Sequence, residues 1–239
     1  MTAMRRKGEN VTRDLLSPEK MENELFDRWV EEITPWFESE RRWLGTPFFT
    51  PPEEAVKAVA SRPPVEPGAD STDSMLKAIR ARYELVTSHS WAVPTDEALE
   101  AIAKHSPNGV VEIGAGTGYW AGLLRDRGVD VVAYDVAPYD NVQAQAKWSE
   151  VNVGNHLNVL KHPDRTLMLC WPPYNTPMAV MALRRFKGDT VVYIGESAGG
   201  CNGDEDFHEM LDTSWEEKKC VSLPQWPGIR DDLYVYSRR

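Results

Sequence analysis

Between Val110 and Tyr119 the chain reads Val-Val-Glu-Ile-Gly-Ala-Gly-Thr-Gly-Tyr. A short run suited to a buried strand enters three glycines at alternate positions, Gly114, Gly116 and Gly118, and a helical pattern opens at Trp120. Glycine has no Cβ, so backbone amides in such a turn can approach a ligand closely. The ligand then sits at the carboxyl edge of a sheet. Later segments keep the same rhythm. Residues 129–134, 167–171 and 190–194 read as strands. Residues 120–127, ended by Gly128, and a stretch from Thr176-Pro177 through Leu183 read as helices. Residues 219–223 and 232–236 form a strand pair around the Pro227-Gly228 turn. Alternating β and α units predict a mostly parallel α/β sheet with helices on both faces.

The first 90 residues follow a different pattern. Residues 1–16 are a polar arm, and Ser17-Pro18 is a helix-start signal. Met21, Leu25, Phe26, Trp29, Val30 and Ile33 recur at helical spacing until Thr34-Pro35. Trp36, Phe37, Trp43, Phe48 and Phe49 suit either a packed brace or a substrate-gripping surface. Pro51-Pro52 opens another short helical stretch, and residues 61–71 read as a linker. Met75, Leu76, Ile79, Tyr83 and Leu85 suggest a further helix, and Thr95 caps the one after it. The chain thus divides into a helical extension or lid over residues 1–90 and a ligand-binding α/β domain over 91–239.

Composition excludes several classes. With 27 Lys+Arg against 37 Asp+Glu the net charge is −10, a poor match for a general phosphate-backbone binder, although a local basic patch is compatible with it. Three cysteines are too few for a disulfide framework. No apolar run reaches the roughly 20 residues of a membrane span, and the basic N-terminus lacks an apolar stretch after it. The expectation is a reduced, cytoplasmic protein with no membrane partner. Cys201, His208 and Cys220 lack zinc-ligand spacing, and Asn202, Asp204 and Asp206 lack the glycine and glutamate of a calcium loop, so no metal is expected.

Two cofactors compete for the glycine turn. A dinucleotide fingerprint, G-x-G-x-x-G, would place its last glycine at Tyr119, where a phenol ring obstructs the pyrophosphate. The spacing here is G-x-G-x-G with Glu112 before it, and residues 131–135, Val-Val-Ala-Tyr-Asp, end the next strand in an acid 17 residues beyond Gly118. This arrangement resembles motifs I and II of the class I S-adenosylmethionine (SAM) methyltransferases. The resemblance implies a Rossmann-like sheet, mostly parallel with an antiparallel strand near the C-terminus. It also implies SAM as cofactor, held by Glu112, Gly114, Ala115, Gly116 and Gly118, with Asp135 on the ribose. Without it, Asp135 could simply cap a turn. Val151-Asn-Val-Gly154 is a poor candidate for the adenine contact.

Cys170-Trp-Pro-Pro-Tyr174 resembles motif IV of the amino-methyltransferases, in which Asp, Asn or Ser precedes Pro-Pro-Tyr. The chemistry requires a nitrogen lone pair held in line with the methyl group, with acceptors for the nitrogen's hydrogens. Trp171 stands at the polar position, and an indole N–H only donates. Trp171, Pro172, Pro173 and Tyr174 are the candidate catalytic residues, with His208 on the glycine-rich segment after the fifth strand as a candidate base. Taken alone, His208 more readily suits a surface or helix-capping role. Trp91 and Pro94 precede the helix that leads into the glycine strand; they either line the methionine end of the cofactor or belong to the core. Trp226, Pro227, Gly228 and the acidic pair Asp231-Asp232 make a hairpin whose loop could reach the pocket. The reading is methyl transfer from SAM to N or O of a small molecule. The alternatives are N-methylation of a nucleic-acid base or protein residue, and a SAM-binding protein without turnover.

Overall fold

Along the glycine strand, Val110 and Val111 face opposite ways, and that alternation sorts the core into two layers. A computed structural model describes residues 21–34, 53, 54, 57, 71–139 and 144–239. The polar arm, the Ser17-Pro18 signal, the aromatic stretch from Trp36 to Phe49, the Pro51-Pro52 start, the linker before Ser71 and the Met75 side chain lie outside the described residues.

Seven strands form one sheet: β1 (Val110–Ile113), β2 (Val131–Asp135), β3 (Asn152–Val153), β4 (Thr166–Cys170), β5 (Thr190–Gly195), β6 (Trp215–Ser222) and β7 (Asp232–Arg238). Their order is β3-β2-β1-β4-β5-β7-β6. Strands β1 to β5 are mutually parallel, and β7 runs antiparallel to both β5 and β6. This is the expected Rossmann-like sheet with its reversed strand near the C-terminus. The order reverses between β1 and β4, whose registers pair Val111 with Leu167 and Glu112 with Met168. A crevice therefore opens at the carboxyl ends of β1 and β4, where open α/β sheets bind ligands.

One core layer joins Val110, Met168, Val192 and Val235 to helices α1 (Glu24–Glu32), α2 (Ser71–Ser88), α3 (Asp96–Lys104) and α4 (Tyr119–Arg125). The other joins Val111, Leu167, Leu169 and Val191 to α5 (Met178–Arg185) and α6 (Glu205–Ser214). Helix α1 starts later than the Ser17-Pro18 signal implied: the Asn23 side chain caps it by accepting from the Phe26 amide. Leu25, Trp29 and Ile33 are fully buried, and the Trp29 indole donates to the Gln225 carbonyl at 3.0 Å.

Helix α2 forms where expected but buries a different face. Ala78, Ala81, Leu85 and Val86 pack inward while Leu76, Ile79 and Tyr83 are exposed. Two elements have no clear sequence signal: the two-residue edge strand β3, within the segment judged poor for adenine contact, and helix α6, whose N-cap is Asp204.

Candidate functional site

The turn after β1 is built by backbone geometry. Gly114, Gly116 and Gly118 all have positive φ, at 83°, 52° and 75°. At Gly118 a Cβ would stand 2.9 Å from Val151 Cγ2 and 3.0 Å from the Ser149 carbonyl, so no other residue fits without movement.

The turn's amides are directed inward. Gly114 and Ala115 donate to the Tyr134 carbonyl at 2.8 and 3.1 Å, and Gly118 donates to the Ala115 carbonyl at 2.8 Å. Gly116 donates to Asp135 Oδ2 at 2.9 Å, while Asp135 Oδ1 accepts from the Ala137 amide at 2.9 Å. A pyrophosphate needs such amides free and faces a carboxylate here instead. Each Asp135 oxygen keeps a lone pair for a further donor.

A cleft of about 350 Å³, open mouth included, lies against this turn. Its walls are Val86, His89, Ser90, Trp91, Glu112, Gly114, Ala115, Gly116, Thr117, Tyr119, Trp120, Cys170 and Trp171, with no Lys or Arg among them. Glu112 is 2% exposed and its Oε2 has no hydrogen-bond partner. Burial pushes its carboxyl up to about 8; Arg125 opposes the shift and Asp135 adds to it.

His89 is 3% exposed, its ring packed against Tyr119 and Trp148 at centroid distances of 5.2 and 4.8 Å. Burial, reinforced by Arg28, lowers it to about 4, so it is neutral at pH 7. Ser88 gives its hydroxyl proton to the Glu84 carbonyl at 2.7 Å, so His89 Nδ1 is the donor in the 2.8 Å contact with Ser88 Oγ. Nε2 makes no hydrogen bond and lies 3.8 Å from Glu24 Oε1. The sequence reading missed His89, because a single histidine between two serines carries no spacing signal.

Trp171 adopts a left-handed backbone, φ 49°, at the end of β4. Its amide donates to the Ile194 carbonyl at 2.8 Å and its ring stacks on Trp91 at 5.0 Å. Its indole N–H donates to Asp231 Oδ1 at 2.8 Å. The acidic hairpin loop thus reaches the strand-end loop. Asp231 is fully buried, and burial raises its carboxyl well above the ordinary range despite the Trp171 bond. The Pro172 carbonyl accepts from the Gly203 amide at 2.9 Å, and Tyr174 is 57% exposed.

Of the residues singled out from sequence, Trp91, Glu112, Gly114, Ala115, Gly116 and Trp171 share the cleft wall. Gly118 and Asp135 do not line the cleft, and Asp135 meets the turn through the Gly116 amide. Pro172, Pro173 and Tyr174 follow the wall without lining it, and Pro173 bridges to Asn202. Pro94 is buried off the cleft, its carbonyl accepting from Asn23 Nδ2 at 2.8 Å. His208 lies on α6, its Nε2 3.0 Å from the Asn202 carbonyl and its ring against Tyr193 and Phe207.

No family model and no curated protein matches the sequence. The fold is similar to several solved structures. One is magnesium protoporphyrin IX methyltransferase from Synechocystis PCC 6803 with bound SAM (12% identity, 93% of this chain and 100% of that chain, TM-score 0.43). Another is 1,6-didemethyltoxoflavin-N1-methyltransferase from Burkholderia thailandensis with bound 1,6-didemethyltoxoflavin and S-adenosylhomocysteine (13%, 73% and 93%, TM-score 0.42). A third is a TehB-like SAM-dependent methyltransferase from Corynebacterium glutamicum (17%, 71% and 100%, TM-score 0.41).

Proposed function

We propose that the chain is a SAM-dependent methyltransferase acting on N or O of a small molecule. One observation carries the choice of cofactor: two buried polar atoms that make no hydrogen bond, Glu112 Oε2 and His89 Nε2, belong to side chains on the walls of one cleft lined by no Lys or Arg. Such walls call for a cationic ligand with N–H donors. SAM has an ammonium group and a sulfonium, whereas a dinucleotide would bring phosphates to a turn whose amides are already used.

In this reading Glu112 and His89 receive the ammonium, Gly114, Ala115 and Gly116 let the ligand approach the backbone, and Asp135 accepts from the ribose hydroxyls. SAM supplies an electrophilic methyl group when bound. The chain contributes chiefly position and exclusion of water: Trp91 and Trp171 close one end of the cleft and bring the acceptor into line. The Trp-Pro-Pro-Tyr loop differs from the amino-methyltransferase pattern in that its first side chain is committed to Asp231. This favours a small planar acceptor over a flipped base. Of the N-terminal extension, α1 and α2 pack into the core of the α/β domain.

The test is transfer of radiolabelled methyl from SAM into a fractionated cell extract. Label in the small-molecule fraction is the expected result. Label in nucleic acid or protein would favour the alternative acceptors, and SAM binding with no label anywhere would favour a binding protein without turnover.

A further inference from the structure

Within β1, Glu112 has Ala133 of β2 and Met168 of β4 as its neighbours across the sheet. Neither side chain can donate a hydrogen bond to a carboxylate. Two charged groups act on it: Arg125, which favours its ionised form, and Asp135, which adds a like charge. The Arg125 guanidinium is committed elsewhere. It donates to Ser149 Oγ, to the Glu150 carbonyl at 3.0 Å and to the Val131 carbonyl at 2.9 Å.

Glu112 is thus a cleft-wall carboxyl that is 2% exposed, with Oε2 unpartnered and no Lys or Arg among the side chains that share its cleft. Burial without a counterion disfavours the charge, so the free protein keeps a proton on Glu112 near neutral pH. A ligand bearing an ammonium supplies the counterion that the fold withholds, and the carboxylate becomes the favoured form.

We propose that the cofactor binds this cleft by exchange: its ammonium takes the place of the Glu112 proton, which leaves to solvent. The proposal rests on the methyltransferase reading and deepens it. Glu112 becomes the residue that selects ligands by their amine and ties their affinity to pH. Charge balances in the exchange. The free protein holds a neutral acid, and the complex holds a carboxylate beside one ammonium.

The other titratable side chains lining the cleft keep their protonation state across the same range. Burial raises Tyr119 above its ordinary value, and raises the Cys170 thiol well above its own, with Glu112 and Asp231 adding to the Cys170 shift. His89, lowered to about 4 by burial and Arg28, is already neutral, with Glu24 of α1 facing its Nε2. Glu112, at about 8, is left as the group on the cleft wall that exchanges a proton near pH 7.

The experiment is calorimetric titration of S-adenosylhomocysteine, which carries the same ammonium as SAM, into the full chain at pH 6, 6.5 and 7. Each pH is run in two buffers of unlike ionisation enthalpy, so that the heat reports protons released. In wild type we expect about one proton released per ligand at pH 6.5, and affinity about 10-fold tighter at pH 7 than at pH 6. In Glu112→Gln, binding is weaker, release drops to about 0.2 proton or less, and the pH dependence flattens to about 2-fold or less. Infrared difference spectra of wild type give a second readout that needs no variant: the protonated-carboxyl band should disappear on ligand addition. Binding to wild type without proton release overturns the proposal, as does a persisting carboxyl band or undiminished release in Glu112→Gln. If wild type binds no S-adenosylhomocysteine at any of these pH values, the methyltransferase reading itself fails, a result separate from binding without proton release.

Discussion

Glu112 ionises near 4.5 in an unfolded chain but near 8 in the fold. The native protein therefore binds one more proton than the unfolded chain between those values, and its stability falls as pH rises through that window. Glu112→Gln removes this penalty, so we expect a higher Tm at pH 8 together with SAM affinity weakened by about 10-fold or more. Thermal melts and calorimetry on the same variant check both; a stable variant with undiminished SAM affinity would remove Glu112 from the site. His89 acts with the opposite sign. Its folded value near 4 lies below the ordinary 6.5, so its contribution is fully present above pH 6.5 and lost as pH falls toward 4. A pH series of urea melts should show this acid limb in wild type and a flatter one in His89→Gln. At this scale the glycine turn, Glu112 and Asp135 were legible because they form a spaced pattern with a chemical rationale. His89 was not, since its significance lies in a missing hydrogen bond, which only a folded chain reveals.

Secondary-structure elements were legible where burial is deep and apolar runs are long. Strands β1, β2, β4 and β5 fall within about two residues of expectation by that reasoning. Strand β3 has two residues, both exposed, and so offers no hydrophobic signal. Helix α2 misleads in another way. Its large apolar residues Leu76, Ile79 and Tyr83 face outward, while two alanines help form the buried face, so side-chain size pointed to the wrong side. Helix α1 carries a strong prediction. Trp29 is fully buried in the layer shared with β1, and its indole holds the Gln225 carbonyl. Trp29→Ala should cost about 3–5 kcal/mol, read from denaturant melts. A cost below about 1 kcal/mol would mean that α1 is a detachable lid, not part of the core. Gly118→Ala, with a positive φ and a Cβ contact at 2.9 Å, should cost about 1–3 kcal/mol in the same assay.

For the molecule as a whole, the alternation of strands and helices around one glycine turn was enough to specify the sheet and the edge at which the cleft opens. The path of residues 21–34 was not legible. Their helical periodicity was plain, but nothing local indicates that the helix packs into the same layer as β1 and α4. The charge of −10 makes weak, non-specific nucleic-acid binding the expected outcome. The central claim is that the cleft binds SAM. It is tested most directly by calorimetric titration of SAM and of NAD into wild type and Asp135→Ala. We predict one SAM per chain in wild type, affinity weakened by about 10-fold or more in Asp135→Ala, and no NAD binding. Absence of SAM binding, or NAD binding as tightly as SAM, would contradict it.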